Sequence, residues 1–318
     1  MSHGTRPTWR AGLAIVAIAA TIAACGGTGS GGAASADPTR DKLAQIMARG
    51  TLVAYAATDY PPQSIVVEGA SRAASTKCLP NQMTSDELTG FDIETTKVVA
   101  EKLGVEVCFV VPTWTEATAG NWNDRMDIVY GSGAINATRM EHLYMTQPYY
   151  YVPQRFVVRA DSAYQKPSDL DGKTIGTCSS CTVESYLKGT LQIPGVDLVQ
   201  KVKDPKLEGF ETEGPGIEAL AAGDLDAFLT AEPVAQQAID DGLPLRLLDE
   251  TAFSMYPSGF VDKGSSLSAK AFVDRVNQII SAAHADGTLK KLSDTWFGSD
   301  YTTKAGAFDL SLIGQEVK

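Results

Sequence analysis

The stretch Met126–Tyr151, MDIVYGSGAINATRMEHLYMTQPYYY, decides how the rest of the chain is read. Asp127-Ile128-Val129-Tyr130 is a short apolar, partly β-branched run, the pattern of a buried strand. It ends in Gly131-Ser132-Gly133, where the chain must turn and backbone N–H groups become free to face a ligand. Asn136-Ala137-Thr138 then starts a helix carrying Arg139, and Met145-Thr146-Gln147-Pro148 leads into three tyrosines. A strand end, a glycine loop, one arginine and an aromatic cluster suit a small carboxylate, because a guanidinium offers a planar fork of donors that matches both oxygens. The competing reading gives Arg139 a surface ion pair and puts the tyrosines in a core.

At 318 residues, 44% apolar and 20% charged, the chain is globular and suits two compact units better than one. Residues 1–24 are a separate object. Arg6 and Arg10 form a positive segment, and Ala11–Ile22 an apolar one too short to span a bilayer comfortably. Ile22-Ala23-Ala24-Cys25 resembles the lipobox of bacterial lipoprotein signal peptides, with Ile where Leu is commoner. That resemblance implies a lipidated (palmitate-bearing) Cys25 as the first mature residue. The alternative is an ordinary secretory signal. Gly26–Ala36 (GGTGSGGAASA) is a flexible tether without core-forming residues, as a cell-membrane-anchored, outward-facing protein needs.

Removing residues 1–24 takes away two arginines and no acids, leaving 25 Lys and Arg against 38 Asp and Glu, a net charge of −13. This argues against nucleic acid as a partner, since such binding rests on clustered basic residues. Cys78, Cys108, Cys178 and Cys181 remain after Cys25, and an even count outside the cytoplasm favours disulfides. Local sequence suggests Cys78–Cys108 and Cys178–Cys181, although three connectivities stay open. Zinc at Cys178-x-x-Cys181 would need a second CxxC or more histidine than His142 and His284 supply, so no metal is expected; thioredoxin-like redox chemistry is the other rival. No cofactor motif is read.

Along the chain, the pattern predicts a short helix over Asp41–Arg49, a strand over Thr51–Ala56 and a turn at Thr58–Pro62. A polar hairpin with an insertion around Cys78 follows, then a helix from Gly90 stopped by Gly104, and a strand over Val105–Val111. Tyr151–Arg159 alternates as a strand crossing between units would. A second series then runs through strands at Lys173–Gly176, Leu198–Val202, Leu225–Thr230 and Leu245–Leu248, with helices between. Phe260-Val261 adds a strand, and Ser268–Ala285 and Thr288–Phe297 two helices. Such an alternation predicts α/β architecture with mostly parallel sheets, whose ligands bind beyond the carboxyl ends of the strands. The loops after Ala56, Tyr130 and Gly176 all lie at such ends.

Several segments in order resemble the family 3 extracytoplasmic solute-binding proteins, the polar amino-acid receptors of ABC importers. They include Gly90-Phe91-Asp92-Ile93, Thr138-Arg139, Gln147-Pro148-Tyr149-Tyr150, Asp169-Leu170-Asp171-Gly172-Lys173, Gly223-Asp224-Leu225-Asp226-Ala227 and Asp286-Gly287-Thr288-Leu289. The resemblance spans about residues 48–300 and implies a type II periplasmic-binding-protein fold, two α/β lobes joined by two crossover strands. It places the tether and first helix in 25–48, lobe 1 in 49–154 plus 256–310, and lobe 2 in 155–250. It assigns Arg139 to the ligand α-carboxylate, with Thr182 assisting from lobe 2. Ser132 matches one of the family's serines, and Ala134 stands where another is common. Tyr60 matches a covering aromatic, and Trp114 a further wall. Thr182 could instead be only a helix cap, Tyr60 and Trp114 only packing; Trp122, Tyr150 and Tyr151 are taken as core or hinge packing. One departure matters most: Ala231 stands where the family usually has an aspartate for the ligand ammonium. A buried ammonium needs a partner, so Glu232 or Glu116 is expected to substitute, unless the ligand lacks that group.

The resemblance implies a monomeric binding protein without catalysis, capturing a small carboxylate for a membrane ABC permease. An enzyme on the same fold (dehydratase-like) and a sensor subunit of a signalling receptor are the alternatives.

Overall fold

The computed structural model describes residues 37–194 and 196–318; the leader, Cys25 and the tether lie outside the described residues. The chain opens with α1 (Lys42–Arg49), begun by the Asp41 carboxylate accepting from the Ala44 N–H. Then come β1 (Thr51–Tyr55), the short strands β2 (Asp59–Tyr60), β3 (Ser64–Val66), β4 (Met83–Thr84) and β5 (Leu88–Thr89), and α2 (Phe91–Leu103). Gly104, at φ 73°, stops α2 as the sequence leads one to expect. β6 (Glu106–Val110), α3 (Trp114–Ala119), α4 (Ala137–His142) and β7 (Leu143–Pro148) complete this part. β1 and β6 pair in parallel, with β4 antiparallel on the outer side of β6.

The crossover strand β8 (Val152–Arg159) leads into β9 (Thr174–Cys178), α5 (Thr182–Leu187), β10 (Lys206–Phe210), α6 (Glu213–Ala222), β11 (Ala227–Ala231) and α7 (Glu232–Asp240). The chain returns along β12 (Leu245–Met255), which pairs antiparallel with β8. Together they form one five-stranded sheet in the order β10-β9-β11-β8-β12. β13 (Ser258–Asp262) then pairs with β7, and α8 (Lys270–Ala285) and α9 (Thr288–Phe297) pack against α1, α2 and β7. Two α/β lobes thus share the two long strands β8 and β12.

Three expectations need correction. The run Asp127–Tyr130 forms isolated bridges, Ile128 to Ala54 and Val129 to Phe260, and not a ladder strand. Its Asp127 carboxylate is occupied with the Val53 N–H, Lys42 and Arg49, which ties the segment to β1 through a side chain. The strand expected over Leu198–Val202 is absent; the more polar Lys206–Phe210 takes the ladder beside β9. Tyr186 explains this: its hydroxyl donates to the Val199 carbonyl and accepts from the Lys201 N–H, pinning that segment to α5. β12 also runs seven residues past the expected Leu248, since its second half forms the return crossing.

Both expected disulfides are formed, Cys78–Cys108 tying the insertion to β6 and Cys178–Cys181 closing the end of β9. The tyrosines divide. Tyr149 and Tyr150 are fully buried against Phe91, and Tyr151 is half-buried beside Tyr256. Trp122 is core, its indole N–H donating to the Ala117 carbonyl.

Candidate functional site

The ends of β1, β9 and β10 and the loop Gly131–Gly133 surround a cavity enclosing about 590 Å³ of atom-free space, part of it continuous with solvent. Tyr55, Asp59, Tyr60, Trp114 and Ser132 line it from the part of the chain before β8. Cys178, Cys181, Thr182, Glu211 and Glu213 line it from lobe 2, and Gln154 and Met255 from the crossing strands.

Arg139 stands just behind this lining. Asn136 caps α4 by accepting from the Arg139 N–H, which directs the side chain inward to 5% exposure. The guanidinium lies between two rings, 5.3 Å from the Trp114 centroid and 5.5 Å from that of Phe260. It donates to the Ala134 carbonyl (3.0 Å), to Thr182 Oγ1 across the cleft (2.9 Å) and to the Ser180 carbonyl (3.3 Å). All three acceptors are uncharged, and among the described residues it is paired with no carboxylate. Burial alone lowers its pKa to about 9, still charged at neutral pH. Three of its five N–H groups are engaged, so the fork keeps donors for one more acceptor. Thr182, 3% exposed, accepts from Arg139 and retains its own hydroxyl proton to donate into the cavity it lines.

The glycines of the Gly131-Ser132-Gly133 loop serve close approach more than turning. A Cβ on Gly131 would meet Trp114 and Tyr55 carbons at 2.8 Å, and one on Gly133 would meet Phe260 at 2.3 Å. The left-handed residue is Ser132, at φ 57°. Its hydroxyl donates to Asp92 (2.8 Å), and the Tyr149 hydroxyl donates to the same carboxylate (2.6 Å) and accepts from the Ser132 N–H. Asp92 is fully buried at the start of α2, and burial raises its pKa to about 7 against those two hydrogen bonds. Beneath the cavity, then, a carboxylate fixes Ser132 so that its oxygen lone pairs remain available to a donor.

Glu213 opens α6. It is 7% exposed, its Oε2 has no hydrogen-bond partner, and burial pushes its pKa up to about 8. One of its carboxylate oxygens and the sulfurs of Cys178 and Cys181 lie within 4.8 Å of one another.

Among the residues expected from sequence, Thr182, Ser132, Tyr60 and Trp114 line the cavity. Arg139 backs them. Ala134 is buried and contributes only its carbonyl, to Arg139. Glu232 does not line the cavity: Arg155 donates to its carboxylate at 2.9 Å and Tyr301 at 2.7 Å, a structural cross-link. Glu116 caps α3 through Thr113 at the surface. Neither lines the cavity. Sequence reasoning missed Asp59, Asp92, Gln154, Glu211 and Glu213. The signal for Asp92 was its place in Gly90-Phe91-Asp92-Ile93; Glu213 could have been found as an acid at a helix start directly after a strand of the second series.

Two α/β lobes share two long strands, and a cavity with a few buried polar groups lies where both contribute lining residues, the architecture of a ligand-binding protein. The chain belongs to the bacterial extracellular solute-binding proteins, family 3, whose family model matches residues 73–299. It is 27% identical over 263 residues to the L-cystine-binding protein TcyJ of Escherichia coli strain K12, covering 82% of this chain and 87% of that one. It is 26% identical over 223 residues to the probable amino-acid-binding protein YxeM of Bacillus subtilis strain 168, covering 69% and 79%. Among solved structures, the ancestral amino acid-binding protein AncCDT-1, a precursor of cyclohexadienyl dehydratase, matches with 26% identity and a TM-score of 0.65, over 81% of this chain and all of that one. Among the described residues no helix is long and apolar enough to cross a membrane.

Proposed function

We propose that this chain is the amino-acid receptor of an ABC importer, held at the outer face of the cell membrane by a lipid on Cys25. In this reading lobe 1 covers about residues 49–154 and 256–310, lobe 2 covers 155–250, and the lobes close on one ligand. The carrying observation is Arg139, a buried guanidinium without a carboxylate partner that bonds Thr182 of the opposite lobe at 2.9 Å beside the cavity. A ligand carboxylate that meets both residues makes contacts available only when the lobes are together. Such differential contacts are what shift a hinged protein toward its closed state. The names of the relatives, which bind cystine or amino acids, support the same class.

A receptor releases its ligand unchanged. The full-length chain, loaded from a mixture of amino acids, washed and unfolded, should release one α-amino acid intact, as read by mass spectrometry. Recovery of a dehydrated or deaminated product would favour the enzyme reading that the similarity to a dehydratase precursor raises. His142 and His284 do not supply acid–base groups there: neither lines the cavity, and His284 Nε2 is hydrogen-bonded to the Pro148 carbonyl.

A further inference from the structure

The ionisable side chains of the cavity are one-sided. Among the described residues Asp59, Glu211 and Glu213 line it and no lysine, arginine or histidine does; Arg139 stands at its edge. Taking the amino-acid reading above as given, a zwitterion matches one positive group with its carboxylate and one negative group with its ammonium. Arg139 and Thr182 answer the carboxylate. Glu213 is the geometric answer to the ammonium: buried, lining the cavity, with an oxygen left without a hydrogen-bond partner. Its charge also reaches the Tyr60 phenol, whose pKa is raised well above the ordinary value, first by burial and then by neighbouring groups that include Glu213. This acid stands in for the one expected at Ala231.

Asp59 and Glu211 are then left over. Both are exposed at the cavity wall, one from each lobe. Asp59 lies tight against the start of α6, since a Cβ on Gly214 would meet its Oδ2 at 2.9 Å. The Asp59 carboxylate therefore sits against the segment bearing Glu211 and Glu213. Like charges brought together oppose closure unless a cation lies among them. The same cavity is lined by Tyr55, Tyr60 and Trp114, aromatic residues whose ring faces attract cations. A neutral side chain would leave two carboxylates unmatched, and an acidic one would add a third negative charge.

We propose that the ligand is a basic amino acid, its α-carboxylate toward Arg139 and Thr182, its α-ammonium on Glu213, and its side-chain cation between Asp59 and Glu211. The acids enforce a preference for positive side chains, and they oppose lobe closure on anything else.

The test is titration calorimetry on the full-length chain with arginine, lysine and ornithine against the near-isosteric neutral citrulline, glutamine and norleucine, plus glutamate. Arginine or lysine should bind at least tenfold tighter than its neutral counterpart, about 1.4 kcal/mol. Asp59→Asn with Glu211→Gln should collapse that ratio toward one, and added salt should shrink it in the unaltered chain. Asp59→Asn alone, at an exposed position, keeps the test open if the double variant folds poorly. Equal or tighter binding of citrulline or glutamine would overturn the basic-ligand assignment while leaving the amino-acid receptor standing. Binding of none of the amino acids would overturn both.

Discussion

Replacing Glu213 by glutamine isolates a conflict between stability and binding. The side chain keeps its shape and loses its charge. In the folded protein burial raises the carboxyl pKa from 4.5 to about 8. Between those values the native state holds a proton that the unfolded chain releases, so stability falls as pH rises through this window and the full cost is present above pH 8. At about 1.4 kcal/mol per pKa unit the ceiling is about 5 kcal/mol. The carboxyl faces a cavity open to water, which discounts that figure, and about 1–3 kcal/mol is expected at pH 9. Glu213→Gln should therefore match the parent in thermal midpoint near pH 5 and exceed it progressively toward pH 9, by a few degrees. Its affinity for α-amino acids should fall about 10- to 100-fold, as for the loss of a charge-assisted hydrogen bond of about 1.5–3 kcal/mol. Parent affinity should rise with pH toward 8, because the carboxylate is the form that binds the ammonium. A stability difference independent of pH, or a variant that binds amino acids as the parent does, would refute this assignment.

Arg139→Lys keeps a charge but loses the fork and its seat between Trp114 and Phe260; calorimetry should show at least a 100-fold weaker affinity, with Arg139→Ala no better. Gly133→Ala places a methyl group 2.3 Å from the Phe260 ring, so denaturant unfolding should show a loss of about 1–3 kcal/mol and the indole emission of Trp114 should shift. Opening Cys78–Cys108 by Cys→Ser at both positions releases a 30-residue loop and should cost about 2–4 kcal/mol with affinity retained, since neither cysteine lines the cavity.

Legibility in the sequence followed the range of the forces involved. α2 could be read because its apolar spacing and the left-handed Gly104 that stops it are local features. So could Arg139, whose helix start at Asn136 and flanking glycine loop announce a side chain held inward. Leu198–Val202 misled because its apolar residues look like a strand, while a single distant hydroxyl, Tyr186, decides where that backbone lies. Glu232 misled in a similar way. Its position after β11 suggested the cavity, but Arg155 on the crossover strand β8 and Tyr301 near the C-terminus claim its carboxylate. Glu213 was passed over because a glutamate before Gly214-Pro215 looks like a solvated helix start. Only the packing of α6 against β9 and β11 buries it beside Cys178 and Cys181. Local chemistry thus gave the elements and the buried arginine, and long-range packing decided which acids line the cavity.

The most direct measurement of the central claim is a thermal-shift comparison of the full-length chain and its Arg139→Ala variant, with each common amino acid set against the matched carboxylate lacking the α-amino group. A tight ligand at 100 to 1,000 times its Kd adds about 3–4 kcal/mol to the stability of the form it binds. The account predicts a rise in midpoint from one class of amino acids, a smaller one or none from their deaminated counterparts, and loss of both in Arg139→Ala. An unchanged midpoint with every amino acid, or a rise that survives the loss of Arg139, would contradict it.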